Sequence, residues 1–355
     1  MNLTAIVEVT ESCNLSCNFC LRPSFLSGVM SKKTLEKVIS HIMSYSRERV
    51  SFLWHGGEPL IAGLNFFKEI PKLQRKYNTK KIIVSNNIQT NSILLNRKFV
   101  DFFEKEDFEV GTSIQGTRET HDSSRITGAG EPTYDKVLLN IKRLKKKPSA
   151  IIVLTKDVLG RESEIYFSIK PYVRGIRISE YFPRKASRGN NLGNRAMPSP
   201  LEWGESMLKF YKVWKNDSKA IDVRPITEII RSFVIGKSEG CLYSQEACKN
   251  SIVGVKTSGD FYTCIRGAGK ELFFLGNVNS KPLKNYEKRA EEAKNYRIEN
   301  LLNKSCKNCE FWEYCNGGCP LESFNIHNDL LHKAYYCRGR KMLFRAILKD
   351  IFNKV

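Results

Sequence analysis

Eleven cysteines are the residues of this 355-residue chain best suited to chemistry. They stand in two groups, Cys13, Cys17 and Cys20 at one end and Cys241, Cys248, Cys264, Cys306, Cys309, Cys315, Cys319 and Cys337 at the other, with a cysteine-free body between. An odd count fits a disulfide framework poorly, and scattered structural thiols would not avoid the middle of a chain. Two metal-binding regions are therefore expected. Within Glu11-Ser12-Cys13-Asn14-Leu15-Ser16-Cys17-Asn18-Phe19-Cys20, spacings of four and three residues let three thiolates converge from one short loop. Three ligands on a four-iron cubane leave one iron open, as a catalytic site needs and a structural site does not. Completion of a zinc site by His55 is the rival reading. The second group, Cys306-x2-Cys309-x5-Cys315-x3-Cys319 followed by Cys337, suits zinc or iron–sulfur ligation by its Cys-x2-Cys pair.

The elements that must position these thiols follow from hydrophobic periodicity. Strands are expected at Leu3–Val9, Val50–Trp54, Lys81–Ser85, Phe108–Ile114, Ala150–Leu154 and Gly175–Ser179. Amphipathic helices are expected between them at Ser31–Arg47, Leu64–Tyr77, Ser92–Glu104, Thr133–Lys145 and Glu162–Tyr172, with Ser31 and Thr133 as N-caps. Such alternation predicts an α/β chain of successive βα units on a parallel sheet. Six units fit an open, partial (β/α)6 barrel of the TIM type, and a doubly wound sheet is the alternative. Residues 181–200 look like a linker, and helices resume at Leu201–Lys215 and Ile226–Ile235. Ile252–Lys256 and Phe261–Cys264 flank a glycine turn and predict a hairpin. A basic helix, Gly339–Phe352, closes the chain. The expected division is 1–200 barrel, 201–240 helical connector, 241–338 cysteine-rich module and 339–355 terminal helix.

Composition excludes several classes. Forty-one per cent apolar and 27% charged residues are ordinary for a globular protein. No apolar run approaches the ~18 residues of a membrane span, and the first residues lack a basic signal region. A cytoplasmic protein without a membrane partner is expected. The formal charge of +21 falls to about +16 if eleven thiolates hold three cubanes. That balance favours acidic partners without naming one.

Cys13-x3-Cys17-x2-Cys20 with Phe19 before the last cysteine resembles the signature of radical S-adenosylmethionine enzymes. Gly56-Gly57-Glu58-Pro59 after the second strand resembles the family's motif for the methionine amino group of the cofactor. Gln89-Thr90-Asn91 resembles the segment after the third strand. Gly111–Gly116, then His121-Asp122 and Arg125, resemble the segment after the fourth. The resemblance implies cofactor contacts from Phe19, Gly56, Gly57, Glu58, Pro59 and Asn91, with Ser113 and Arg125 at the carboxylate and ribose. Ligands belong at the carboxyl ends of parallel strands, where these motifs fall.

The carboxy-terminal pattern resembles the SPASM extension of peptide-modifying members. By resemblance to sulfatase-maturing enzymes, Cys241, Cys248, Cys264 and Cys319 hold one auxiliary [4Fe-4S] cluster, and Cys306, Cys309, Cys315 and Cys337 a second. Three clusters and S-adenosylmethionine are thus the expected cofactors. Full ligation of both auxiliary clusters implies electron transfer rather than substrate binding. The expected partners are a ribosomally made precursor peptide and an electron donor such as flavodoxin or ferredoxin. With the first cysteine only thirteen residues in, any leader is expected to bind the barrel, the module or a separate protein.

The expected reaction is a two-electron oxidation of peptide side chains by way of a 5′-deoxyadenosyl radical. An intramolecular crosslink is the expected product, a cyclophane ahead of a thioether. Gln115 stands at a catalytic position, and an amide cannot serve there as the base that formylglycine formation needs. Glu180, at the end of the sixth strand, is the candidate proton acceptor. The alternatives are a formylglycine-forming maturase, a radical enzyme acting on RNA and a zinc-stabilised adaptor. Nucleic acid is not the expected substrate, because no stacking or RNA-binding pattern is present.

Overall fold

A computed structural model describes residues 2–20, 28–181, 196–241, 251–280, 295, 297–302 and 304–352. Its frame is one twisted sheet. Six strands alternate with helices as the periodicity predicts: β1 Asn2–Thr10, β2 Arg49–Gly56, β3 Ile83–Thr90, β4 Phe108–Ser113, β5 Ser149–Leu154 and β6 Gly175–Glu180. They pair in chain order and in parallel, which places their carboxyl ends along one rim. Helices α1 Lys32–Tyr45, α2 Leu64–Tyr77, α3 Arg97–Lys105, α4 Arg118–Asp122, α5 Tyr134–Ile141 and α6 Glu162–Ile169 form the connections. This is the partial barrel expected from the sequence.

The sheet extends further at both edges. α7 (Pro200–Lys215) leads to a three-residue strand, β7 Asp222–Arg224, which adds in parallel to β6 before α8 (Ile226–Ile235). On the opposite edge β8 (Ile252–Val255) pairs in parallel with β1. β8 and β9 (Asp260–Tyr262) form the expected antiparallel hairpin, and β10 (Phe274–Asn277) adds antiparallel to β9. The cysteine-rich segment ends in α9 (Trp312–Cys315), α10 (Pro320–His327) and α11 (Cys337–Phe352).

Apolar burial divides into two cores. Val7, Phe52, Trp54, Ile88 and Phe103 of the first half pack with Val253, Val255 and Phe261 of the hairpin. Ile152, Ile178 and Tyr166 of the second half pack with Trp203, Phe311, Tyr336 and Phe344. Residues 241–338 therefore contribute to both cores. A direct clamp reinforces this. Lys256 beside β8 pairs with Glu11 and, at 2.6 Å, with buried Glu8, while Thr257 Oγ1 donates to the Glu8 carbonyl at 3.2 Å.

Capping follows the sequence at one place and departs from it at another. Ser31 Oγ accepts from Thr34 N at 3.0 Å and caps α1 as expected. Thr133 stands before α5 without capping it, because its hydroxyl is bonded to the Arg125 carbonyl and to His121. Asp122 Oδ1 caps α5 instead, accepting from Thr133 N and Tyr134 N at 2.8 and 2.9 Å.

Candidate active site

The loop after β1 is held from two sides. Ser16 N and Asn18 N donate to the carbonyls of Ile126 and Ser124 at 2.8 and 3.0 Å. Gly57 N and Glu58 N donate to the carbonyls of Thr10 and Ser12 at 2.9 and 2.8 Å. The glycines are needed for this approach. Gly56 has φ +145°, and a Cβ on it would collide with the Thr10 carbonyl; one on Gly57 would collide with those of Glu11 and Ser12. The loop leaves Cys13 and Cys20 open at their outer edge. Packing around the Cys13 sulfur nevertheless pushes its thiol up to about 11, with Glu58, Cys17 and Cys20 close enough to add repulsion.

Glu58 binds the neighbouring strand ends together. It is fully buried, with Oε1 accepting from Thr90 Oγ1 at 2.7 Å and Leu60 N at 3.0 Å and Oε2 from Asn91 N at 2.7 Å. Burial pushes its carboxyl up to about 7 against these three donors. Pro59 follows at the first position of a short buried turn. Asn91 Nδ2 donates to Asn14 Oδ1 at 2.8 Å and lies 3.8 Å from Cys13 Sγ. The ends of β1, β2 and β3 therefore meet around the first thiol.

β4 supplies the remaining groups. Ser113 Oγ accepts from Gln89 Nε2 at 3.1 Å. His121 is buried, accepts from Gln115 N through Nδ1 and faces Thr133 through Nε2. Burial, with Arg125 nearby, pushes its ring down to about 3, so it is neutral with its proton on Nε2. Arg125 Nη1 lies 4.0 Å from Cys17 Sγ, and its guanidinium stands 4.9 Å from the Phe19 ring centre. Phe19 meets Tyr181 edge-on. Arg125 Nε is buried and has no hydrogen-bond partner among the described residues. A buried, unsatisfied donor beside three thiols suits a cofactor bearing a carboxylate and hydroxyls.

The two acid–base candidates have structural partners. The Gln115 amide continues the ladder between β4 and β5, with Nε2 donating to the Val153 carbonyl and Oε1 accepting from Val153 N at 3.2 Å. Glu180 Oε1 accepts from Arg340 Nε and Nη2 at 3.1 and 2.6 Å. Burial pushes the Glu180 carboxyl up, against the pull of Arg340.

In the second group Cys306 and Cys319 are buried, Cys264, Cys309, Cys315 and Cys337 partly so, and Cys241 is exposed. Cys306, Cys309, Cys315 and Cys337 line one recess, with Phe344 and Arg340 in its walls. Cys319 lies near enough to Cys264 and Cys241 for their charges to interact. Cys248 is outside the described residues. Burial pushes the Cys315 and Cys319 thiols up to about 12 and raises Cys264 and Cys306. Such thiols ionise only when a bound cation replaces their protons. Four thiols around one recess, with three more grouped beside it, fit cluster ligation. Among the described residues no three Cys, His, Asp or Glu side chains close on a single metal ion, and His55 Nδ1 accepts from Gly56 N at 2.7 Å.

Sequence reasoning missed Arg266, Arg297, Arg340 and Glu322 around these thiols, and the Lys256 clamp. Arg340, Glu322 and Arg266 lie within three residues of a cysteine, which was the only signal available. No helix among the described residues is long and apolar enough to cross a membrane.

Known proteins place this geometry. The Radical SAM superfamily profile matches residues 7–162. The serine-type anaerobic sulfatase-maturating enzyme of Bacteroides thetaiotaomicron is 30% identical over 96% of this chain and 88% of that enzyme. A solved structure of native anSMEcpe with bound S-adenosylmethionine and Cp18Cys peptide superposes with TM-score 0.85, 23% identity and 99% coverage of both chains. Streptococcus suis SuiB bound to its precursor peptide SuiA shares the fold at TM-score 0.63 and 15% identity, over 95% of this chain and 76% of that one. The chain thus belongs to the radical S-adenosylmethionine enzymes, among the SPASM-containing relatives of the anaerobic sulfatase-maturating enzymes, with a [4Fe-4S] cluster and S-adenosylmethionine as its cofactors.

Proposed function

We propose that the protein is a peptide maturase that removes two hydrogens from side chains of a ribosomally made precursor and joins them in an intramolecular crosslink, a cyclophane ahead of a thioether. The observation that carries this reading is the pairing of a rim-facing three-thiol loop with a four-thiol recess deep in the carboxy-terminal region. Relatives of the same fold hold peptides, one of them a precursor peptide. Cys13, Cys17 and Cys20 would hold the catalytic cluster. Cys306, Cys309, Cys315 and Cys337 would hold one auxiliary cluster, and Cys241, Cys248, Cys264 and Cys319 the other. When bound, these groups supply a carbon-centred radical that takes one hydrogen atom and an acceptor for the second electron.

The chain's own residues position and shield. Glu58 fixes the loop ends, Asn91 steadies the segment bearing Cys13, and Arg125 offers a buried donor to the cofactor's carboxylate or ribose. Gln115 has no basic atom, and its amide is already bonded to Val153. Ring closure on an aromatic carbon releases a proton that solvent can take, so it does not need a base at this position. Glu180, the side-chain candidate for that proton, keeps Oε1 on Arg340.

Formylglycine formation is the second reading, favoured by the end-to-end match to a sulfatase-maturating enzyme. The deciding experiment incubates reduced, reconstituted enzyme with a peptide encoded beside its gene and, separately, with a sulfatase peptide. The crosslink reading expects the precursor to become two hydrogens lighter, with fragmentation blocked across the bridged segment, and the sulfatase peptide to stay unchanged. Efficient formation of a hydrazine-trapped aldehyde in the sulfatase peptide would overturn it.

A further inference from the structure

Two guanidinium groups are enclosed in the cysteine-rich region, where arginine is rarely found without anionic partners. Arg340, 1% exposed, reaches Glu180 from one side and Glu322 Oε2 at 2.5 Å from the other. Glu322 Oε1 in turn accepts from Tyr336 N at 2.8 Å. The group therefore links β6, α10 and α11 while lining the four-thiol recess. Arg297, also buried, donates to the carbonyls of Gly317 and His332 at 3.1 and 3.2 Å.

Both arginines press on the turn between Cys315 and Cys319. Asn316, Gly317 and Gly318 have φ of 48°, 77° and 73°. A Cβ on Gly317 would lie 2.9 Å from Arg297 Nη1, and one on Gly318 2.5 Å from Arg340 Nη1. The missing side chains make room for the guanidinium groups. This turn is the shortest connection between the two thiol groups, because Cys315 lines the recess while Cys319 faces Cys241 and Cys264.

We infer that Arg340, anchored by Glu180 and Glu322, is a positioning charge that raises the reduction potential of the auxiliary cluster in the Cys306–Cys309–Cys315–Cys337 recess. The physical reason is electrostatic. A four-iron cluster with four thiolates becomes more negative on accepting an electron, and a fixed cation in a poorly screened interior stabilises that form more. Arginine serves because it stays charged at all working pH values and its planar fork takes both carboxylates. Glu180 and Glu322 offset part of the charge, so the set tunes the field in both directions. A merely mechanical tie would change stability on mutation without moving the potential in opposite directions.

The inference rests on the auxiliary-cluster reading above, and the test keeps the two separable. The probe is an EPR-monitored redox titration of full-length, reconstituted enzyme. Arg340→Met should lower one auxiliary midpoint by a tenfold change in the reduction equilibrium, about 59 mV for one electron. Arg340→Lys should stay near the wild type. Glu180→Gln should raise the midpoint; it retains Oε1 for Arg340 and alters only Oε2, which has no hydrogen-bond partner among the described residues. Glu180→Gln therefore tests the inference where Arg340→Met fails to fold. The midpoint of the Cys13–Cys17–Cys20 cluster should not move in any variant. Auxiliary midpoints unmoved in every folded variant, or shifted in the same sense by Arg340→Met and Glu180→Gln, overturn the inference. A chain that binds only about four irons removes the auxiliary reading, and this inference with it.

Discussion

The two cysteine regions solve opposite problems. The loop after β1 presents its thiols at the rim of the sheet, held by backbone hydrogen bonds and by Glu58 and Asn91 underneath. Among the described residues three thiols stand there, two of them exposed. Cys306, Cys309, Cys315 and Cys337 instead line a recess walled by Phe311, Phe344 and the buried Arg340. An open site can bind and react, whereas a closed one can only exchange electrons at constant ligation. Sequence spacing signals the number of thiols, but burial separates the two roles.

Breaking the open region should have the largest effect. Changing Cys13, Cys17 and Cys20 together to alanine should abolish 5′-deoxyadenosine formation and leave about two thirds of the iron, measured on reconstituted protein. Retained cleavage of S-adenosylmethionine would place the catalytic cluster elsewhere. Cys309→Ala sharpens the contrast from the other side. Cleavage to 5′-deoxyadenosine should continue, while oxidised peptide falls to background by mass spectrometry. An undiminished product yield from a soluble variant lacking the second auxiliary cluster would refute its role in electron transfer.

The connection between the regions is the next target. Lys256→Met removes the ion pair of Lys256 with buried Glu8, and breaking a buried pair costs on the order of 3 kcal/mol, less here because Lys256 is partly exposed. Chemical denaturation should show a loss of about 2 kcal/mol on that basis. An unchanged midpoint would mean that the strand pairing of β8 with β1 suffices alone.

The smallest effect concerns His121. Its folded value near 3 lies below the ordinary 6.5. Below pH 6.5 the unfolded chain takes up a proton that the folded chain refuses, so this contribution is intact above pH 6.5 and declines as pH falls towards 3. Between pH 7.5 and 5.5 the wild type should lose about 1.4 kcal/mol from this group. His121→Gln should show a flatter pH dependence of its urea midpoint, and an identical slope would contradict the buried neutral ring.

The repeating units were legible because their apolar periodicity is strong: α2 and α8 lie where it places them. The helix expected at Ser92–Glu104 starts only at Arg97. Asn96 caps it, accepting from Phe99 N at 3.2 Å, and Ser92 sits in a turn with φ 64°. Strand β7 was not legible, because Asp222-Val223-Arg224 is too short for a pattern and forms only against β6. In the site, the cysteine motifs and glycines were visible as local sequence. The Arg340 network was not, because its members are far apart in the chain and charged residues in a helix are expected at the surface. Thr133 and Gln115 show the same limit: each side chain is bonded to a strand or loop that sequence proximity does not reveal.

Iron and acid-labile sulfide, counted per chain after anaerobic reconstitution, test the contrast between the open and closed regions most directly. Three cubanes require about twelve of each, with roughly a third lost when the first three cysteines are removed. About four irons would contradict a closed, cluster-bearing carboxy-terminal region. Stoichiometric zinc without labile sulfide would contradict the account at both ends of the chain.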